Sequence, residues 1–203
     1  MDFPIWVRCS VLLITAAFIG FFLWKQFIYN PFDKTFLKAQ NGESEAQYQL
    51  GYIYYVGKYI PKNYEEAFRW FSAAAEQGHL RALTALAALY HAGHGVEKNP
   101  AKAFYYYEQA AQKEDFEARI NLAVCYLKGI GTPKDEAKGF EILKKAADEK
   151  SPLAQTLTAD LYEQGLGTQK DHDKAVYYYL LAARQGEPRA KEKLKKLRKN
   201  QLF

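Results

Sequence analysis

The sequence has few cysteines and few histidines, and this limits the chemistry that the chain can support. Its 203 residues include two cysteines, Cys9 and Cys125, and four histidines. Two cysteines so far apart build neither a disulfide framework nor a paired-cysteine metal site. Zinc needs three or four ligands, and only His91 and His94 lie close together in the sequence. We therefore expect no metal and no cofactor.

The excess of basic residues is confined to the carboxyl-terminal end of the chain. The formal net charge is +5, but residues 184–203 alone carry eight Lys or Arg and two Glu, so the rest of the chain is nearly neutral. Ala190, Leu194 and Leu197 fall at helical spacing there, which predicts a basic capping helix over 187–203. No aromatic residues interleave with the lysines, so we expect no nucleic acid partner, and attraction to anionic lipid stays an alternative.

The chain has one long hydrophobic run, which follows a short flank of residues 1–4. Residues 5–24, IWVRCSVLLITAAFIGFFLW, carry a single charge, Arg8. A helix of this length rises about 30 Å, which matches the hydrocarbon core of a bilayer. Trp6 and Trp24 stand where interfacial aromatic residues are common. These features predict a transmembrane anchor.

Two questions about this segment stay open. A cleaved signal peptide is the alternative to an anchor, although the residues that follow, KQFIYNPF, contain no small-residue cleavage site. Lysine and arginine counts on the two sides differ too little to fix the orientation. A short amino-terminal flank before a long domain fits a bacterial inner-membrane protein with its domain in the periplasm, and a domain facing the cytoplasm stays possible.

The rest of the chain repeats every 36 residues. Equivalent positions hold alanine, leucine, tyrosine and glycine in successive units. The columns are Ala46, Ala82, Ala118, Ala154 and Ala190; Leu50, Leu86 and Leu122; Tyr54, Tyr90, Tyr126 and Tyr162; Gly57, Gly93, Gly129 and Gly165; and a second glycine at Gly95, Gly131 and Gly167. A repeat of this length is typical of solenoids, in which each unit buries its apolar face against its neighbours.

Each unit predicts two helices. Ala46, Leu50 and Ile53 form one apolar stripe, and Gly57 ends this first helix, which we call helix A. Turns such as GHGVEKN and GLGTQKD then close on an Asn or Asp that can cap the second helix, helix B. Paired alanines in helix B, such as Ala74–Ala75, allow close helix packing.

The units AQYQLGYIYYVG with AFRWFSAAAEQG, and ARINLAVCYLKGIG with GFEILKKAADEK, resemble the Sel-like repeat family, a glycine-rich relative of tetratricopeptide repeats. The resemblance implies an all-α protein, a right-handed α-solenoid of four helix-turn-helix repeats with a capping helix. We place a linker and the start of a half repeat at 25–38 and the solenoid at 39–186. Tyr59 replaces a second glycine, so we expect a differently shaped turn in the first unit.

Two tyrosine triplets, in AFYYYEQAA and AVYYYLLAA, share one register. Tyr106 and Tyr178 align with Trp70, and the following residue of each triplet aligns with Phe71, so both columns predict core residues. Tyr105 and Tyr177 share a column with Arg69 and Glu141. That column predicts exposed tyrosines.

By resemblance to tetratricopeptide arrays, the variable face of the A helices is a concave groove that binds a protein or peptide. Its candidate residues change from aromatic to apolar to acidic along the array, which suits a partner with apolar anchors and one basic end. They are Tyr48, Tyr52, Tyr55, His91, Asn121, Val124, Leu127, Lys128, Asp160 and Glu163. The alternative is that these residues pack against neighbouring helices.

Catalytic patterns are weak. Carboxylates such as Asp160 and Glu163 have no histidine or serine at a suggestive offset, so we assign no catalytic residue. Cys125 shares a column with Ile53 and Leu89, which predicts a buried, inert thiol. The sequence therefore predicts a membrane-anchored adaptor without enzymatic activity. A cell-envelope enzyme that acts on cell-wall material, or a regulator of a membrane-bound enzyme, are the alternatives.

Overall fold

The computed structural model describes residues 31–113 and 115–200, without the side chains of Pro31 and of residues 198–200. The predicted anchor at 5–24 lies outside these residues, as does Cys9. Within the described ranges, none of the helices combines the length and the apolar character that crossing a membrane requires.

Ten α-helices form the described part of the chain, and each packs against the next. The A helices are α2 (Ser44–Val56), α4 (Leu80–Ala92), α6 (Phe116–Lys128), α8 (Pro152–Gln164) and α10 (Pro188–Asn200). The B helices are α1 (Pro31–Gln40), α3 (Tyr64–Glu76), α5 (Pro100–Gln112), α7 (Glu136–Asp148) and α9 (His172–Arg184). This is the all-helical solenoid that the repeat predicts, with α1 as the front half repeat.

The repeated glycine and Asn/Asp columns set the ends of the helices, as predicted. The A helices α2, α4, α6 and α8 each end at a left-handed glycine; Gly57, for example, has φ 76°. Helices α3, α5, α7 and α9 each begin after an Asn or Asp whose side chain accepts a hydrogen bond from the backbone N–H three residues later. These caps satisfy donors that a helix start leaves unpaired.

The second glycine of each turn is required by contact with the preceding unit. A Cβ atom on Gly131 would collide with the backbone carbonyl oxygen of Pro100 at the start of α5, and Gly95 and Gly167 make the same approach one unit earlier and later. Tyr59 occupies this column in the first unit with φ 72°, close to the 70° of Gly131. The expectation of a differently shaped turn was therefore wrong, because Tyr59 adopts the left-handed conformation itself.

The core runs through the stack along the predicted columns. Leu50, Phe71 and Leu89 are almost completely buried, and Cys125 is 3% exposed. Burial raises the pKa of the Cys125 thiol to about 11, as expected of an inert cysteine. At the far end Ala190 is buried, and Leu194 packs against the last core cluster, so α10 is the predicted capping helix.

The tyrosine triplets divide as their columns indicate. Tyr105 and Tyr177 are 53% and 57% exposed, which confirms the prediction for these positions. Tyr107 and Tyr179 are buried. Tyr106 is less buried than its counterpart Tyr178, although both stack on a tyrosine of the neighbouring A helix.

Candidate functional site

A groove of about 220 Å³ crosses α2, α4 and α6, the A helices of the first three units. We call it the front groove. Its lining consists of Tyr48, Tyr52, Tyr55, Phe71, Arg81, Thr84, Ala85, Ala88, Glu117 and Asn121. Four of the ten candidate residues from the sequence analysis are among them: Tyr48, Tyr52, Tyr55 and Asn121.

Differences in side-chain size between units leave the front groove open. The column of Tyr52 holds Ala88 in the second unit, Val124 in the third and Asp160 in the fourth. In the second unit Ala85 is small as well. Tyrosine side chains of the first unit therefore face alanine side chains of the second, and the later units have no such combination.

Ring contacts hold the tyrosine walls of the groove in place. The Tyr48 ring lies 5.7 Å from the Phe71 ring and stacks on His79 at 4.8 Å, while Tyr55 packs on Tyr64 at 5.5 Å. Burial raises the pKa of the Tyr48 hydroxyl. Tyr52 is 50% exposed, so a ligand can reach its ring.

Arg81 and Glu117 line the groove with opposite charges, and neither forms an ion pair within the described part of the chain. Thr84 is 5% exposed, and its hydroxyl group has no hydrogen-bond partner among the described residues. At the equivalent position in the fourth unit, the Thr156 hydroxyl donates to the Pro152 carbonyl oxygen at 3.0 Å. The groove thus contains polar groups that the fold leaves unused.

The histidine–carboxylate contact found in the described ranges has a structural role. His79 caps α4, because its Nδ1 accepts a hydrogen bond from the Ala82 N–H at 3.2 Å. Nε2 then carries the proton and donates to Glu45 at 2.9 Å. The hydrogen bonds from His79 and Gln49 hold the pKa of Glu45 below its usual value. Both ring nitrogens of His79 are occupied, so this pair offers no free general base.

The acidic end of the predicted groove is neutralised from within. Asp160 is 5% exposed and contacts Arg189 at 2.7 Å and Lys193 at 2.9 Å, both on α10. Glu163 also pairs with Lys193, and the buried Tyr179 hydroxyl donates to both carboxylates. These acids attach the capping helix to the stack, so the expectation of an acidic surface open to the basic end of a partner is corrected.

The remaining candidate residues lie outside the front groove. His91 and Lys128 are exposed, and Val124 is half-buried. Leu127 packs inward against Gly139, where a Cβ atom would come within 2.7 Å of the leucine Cγ. Glycine replaces the usual helix B alanine at 139 because Leu127 fills that space.

Sequence reasoning did not assign Arg81, Ala85 or Glu117 to the site. Arg81 and Glu117 lie nearer the start of the A helices than the columns chosen as the variable face, whereas Ala85 shares the column of the candidate Asn121. The column of Arg81 holds Glu45, Glu117, Leu153 and Arg189 in the other units. Such variation in charge and size within an otherwise regular repeat was the available signal.

No group of three or more His, Cys, Asp or Glu side chains capable of holding a metal ion occurs within residues 31–113 and 115–200. His91 has no acidic partner among these residues. The site therefore offers aromatic surface, open volume and unused polar groups. These are properties that suit binding.

Comparison with known proteins gives the family of the repeat. The Sel1 repeat model matches residues 44–79, 80–115, 116–151 and 152–187. The crystal structure of c5321, a protective antigen present in uropathogenic Escherichia coli strains that displays an SLR fold, is 35% identical with a TM-score of 0.71. A Sel1 repeat protein from Oxalobacter formigenes is 34% identical, also with a TM-score of 0.71.

The two matches cover 76% and 75% of this chain, but 33% and 61% of the solved chains. The protein thus spans about a third of the first relative and less than two thirds of the second. No protein of curated function matches the sequence. Sel1 repeat proteins are generally helical scaffolds for protein interaction. Because the four matched repeats make up most of the 203 residues, the chain belongs to the Sel1 repeat family.

Proposed function

We propose that the protein is a membrane-anchored adaptor that holds a segment of a partner protein in the front groove. The observation that carries this proposal is the open space above Ala85 and Ala88, which faces the rings of Tyr48 and Tyr52. Tyrosine is common among residues that dominate binding energy at interfaces. The third and fourth units hold larger side chains in the columns of Ala85 and Ala88, so this space is open beside the second unit.

The partner segment is extended and short. The A helices of three successive units line the front groove, so a segment bound along it contacts three units. Arg81, Glu117 and the Asn121 amide supply both hydrogen-bond donors and acceptors along the way, which suits the alternating N–H and C=O groups of a peptide backbone.

Tyr52→Ala tests the groove. The protein is cross-linked in native membranes and purified, and its partners are identified by mass spectrometry. Removing the ring should weaken partner binding by about 2 kcal/mol or more. The thermal midpoint should remain nearly unchanged, since the residue is half exposed.

Tyr105→Ala is the matched control, because Tyr105 is equally exposed but lies on helix B. A partner that is lost with Tyr105→Ala and retained with Tyr52→Ala would move the site to the B-helix side.

The anchor and the location belong to the same proposal. The apolar run at 5–24 supports an anchor in a bacterial inner membrane, and the short flank before it favours a solenoid in the periplasm. The full chain should stay in the membrane fraction after an alkaline wash, and a chain without residues 5–24 should be released. Protease added to intact spheroplasts should digest the solenoid. Digestion only after lysis would place the domain in the cytoplasm.

A further inference from the structure

We infer that the front groove takes an aromatic side chain carried by an uncharged stretch of the partner. This inference rests on the proposed function and specifies the chemistry of the partner segment. Three properties of the groove point to it: its volume, its fixed aromatic walls and its balance of charge.

The volume suits one ring. A buried cavity of about 150 Å³ lined by apolar side chains binds benzene. The front groove offers about 220 Å³. The small side chains of Ala85 and Ala88 and the amide of Asn121 are part of its lining. A large ring fills this space better than a small aliphatic side chain, which would leave part of the wall without contacts.

The walls are already in the geometry that aromatic contacts need. The Tyr48 ring contacts the rings of Phe71 and His79, and the Tyr55 ring contacts that of Tyr64. Aromatic pairs prefer offset-stacked or edge-to-face arrangements with centroids about 4.5–7 Å apart. Rings fixed before binding lose little conformational freedom when a further ring packs on them. Tyr52 is the one wall tyrosine at least half exposed and therefore covers the incoming ring from outside.

The charges on this face favour neither an acidic nor a basic segment. Arg81 and Glu117 place opposite charges on the groove, and Glu45, which accepts a hydrogen bond from His79, is not among the residues that line it. At the other end of the array, Asp160 is already bound by Arg189. A partner segment with a strong net charge of either sign would meet one repulsive charge for each attractive one. Recognition then depends on the ring and on hydrogen bonds.

Thr84 supplies a hydrogen bond that the fold does not use. Its hydroxyl group is buried without a partner among the described residues, although the residue lines the groove and Thr156 in the same column is satisfied. A buried hydroxyl group without a hydrogen-bond partner is unfavourable. When the Thr84 side chain rotates toward the groove, its hydroxyl group forms a hydrogen bond with a backbone group of the bound segment, beside the aromatic ring. Thr84 thereby fixes the backbone next to the aromatic residue.

Blocked pentapeptides test the inference directly. The probes are acetyl-Gly-Ser-X-Ser-Gly-amide with Trp, Phe, Ala, Glu or Lys at X, titrated into the full chain in detergent micelles and followed by the amide resonances of Ala85 and Ala88. The Trp and Phe peptides should bind about ten-fold more tightly than the Glu and Lys peptides. Their affinity should change less than about two-fold between about 50 and 500 mM NaCl, because no net charge is neutralised.

A groove-filling variant provides the control for specificity. Ala85→Leu with Ala88→Val introduces side chains that the same columns already hold at Leu157 and Val124, so repeat packing should tolerate them. This variant should lose about ten-fold or more in affinity for the Trp peptide, because the ring has no space left. Ala137→Val, at an exposed position on α7, should bind as the parent does.

Three results would overturn the inference: a Glu or Lys peptide that binds as well as Trp, unchanged Trp binding to the filled variant, or no saturable shift at Ala85 and Ala88 with any probe. If the peptides fail but Tyr52→Ala still abolishes partner capture, the adaptor role stands with a partner of different chemistry. If the peptides bind as expected while Tyr52→Ala retains every partner, the adaptor role in this groove is wrong.

Discussion

Tyr107 and Tyr179 occupy the same column of the repeat, two units apart, and both rings are buried. Only the Tyr179 hydroxyl has hydrogen-bond partners among the described residues, namely Asp160 at 2.6 Å and Glu163 at 2.9 Å. Burial, followed by these two hydrogen bonds to carboxylates, raises the pKa of the Tyr179 hydroxyl. The same ring position thus serves packing alone in one unit and an ionic network in the other.

Tyr179→Phe should destabilise the protein by about 1–3 kcal/mol, because the hydroxyl group donates to charged groups in a buried place. Tyr107→Phe should change the stability by less than about 0.5 kcal/mol, since no hydrogen bond is lost. Denaturant unfolding of the two variants beside the parent measures both effects. Equal losses for the two variants would show that the Asp160–Tyr179 contact contributes nothing to stability.

For single residues, the sequence predicts burial better than it predicts hydrogen bonds and ion pairs. Columns correctly placed Tyr105 outside and Tyr179 inside, because a repeat register averages information over several units. The register could not show that Asp160 is paired with Arg189, since the two residues are 29 positions apart and meet only through the stacking of α10 on α8. An acid on a variable face therefore looks available in the sequence when the fold has already used it.

The helical elements depend on two kinds of glycine, one that needs only a left-handed backbone and one that also needs space. Gly186 has φ 96°, and apart from its chain neighbours no atom of the described residues lies within 4 Å of the place that a Cβ atom would take. Gly131 has φ 70°, and a Cβ atom there would collide with the backbone of Pro100. The pair separates backbone strain from contact between neighbouring units.

Gly186→Ala should destabilise the protein by about 1–2 kcal/mol, which is the usual penalty for a left-handed alanine. Gly131→Ala should lose about 1–3 kcal/mol more, because the added methyl group forces the turn away from α5. Thermal unfolding followed by circular dichroism compares the two variants. Similar midpoints would mean that the close approach at Gly131 is relieved without loss of packing.

The order and ends of the elements followed from the sequence, because the 36-residue period, the glycines and the Asn/Asp caps are all local signals. The turn at Tyr59 was the exception. A tyrosine with positive φ is uncommon, so the column suggested a new shape, yet the turn keeps the shape found in the other units. The surrounding repeat geometry outweighed the local preference of one residue.

At the scale of the whole molecule, the solenoid is regular in its core and uneven along its A-helix face. The front groove exists because three tyrosines of the first unit face two alanines of the second. The far end is closed by Arg189 and Lys193 of the capping helix. The open part of the A-helix face therefore lies in the first units of the solenoid, the ones that follow residues 5–24 in the sequence.

The sequence indicated which helices would carry this face, but it could not show which positions on it are open. Each unit offers a plausible set of variable residues, and only the stack decides whether a neighbour fills the space beside them. Leu127 illustrates this, because it was a candidate and it fills the gap beside Gly139. Cavities depend on pairs of residues from different units, and a single column does not contain that information.

Site-specific photo-crosslinking tests the central claim, that the A-helix face at the front of the solenoid is the binding surface. A benzophenone amino acid replaces Tyr52 in one variant and Tyr105 in another; the two positions are 50% and 53% exposed but lie on helix A and helix B. After irradiation of native membranes, position 52 should form a defined adduct with a partner, and position 105 should not. An adduct from position 105 without one from position 52 would contradict the assignment of the groove.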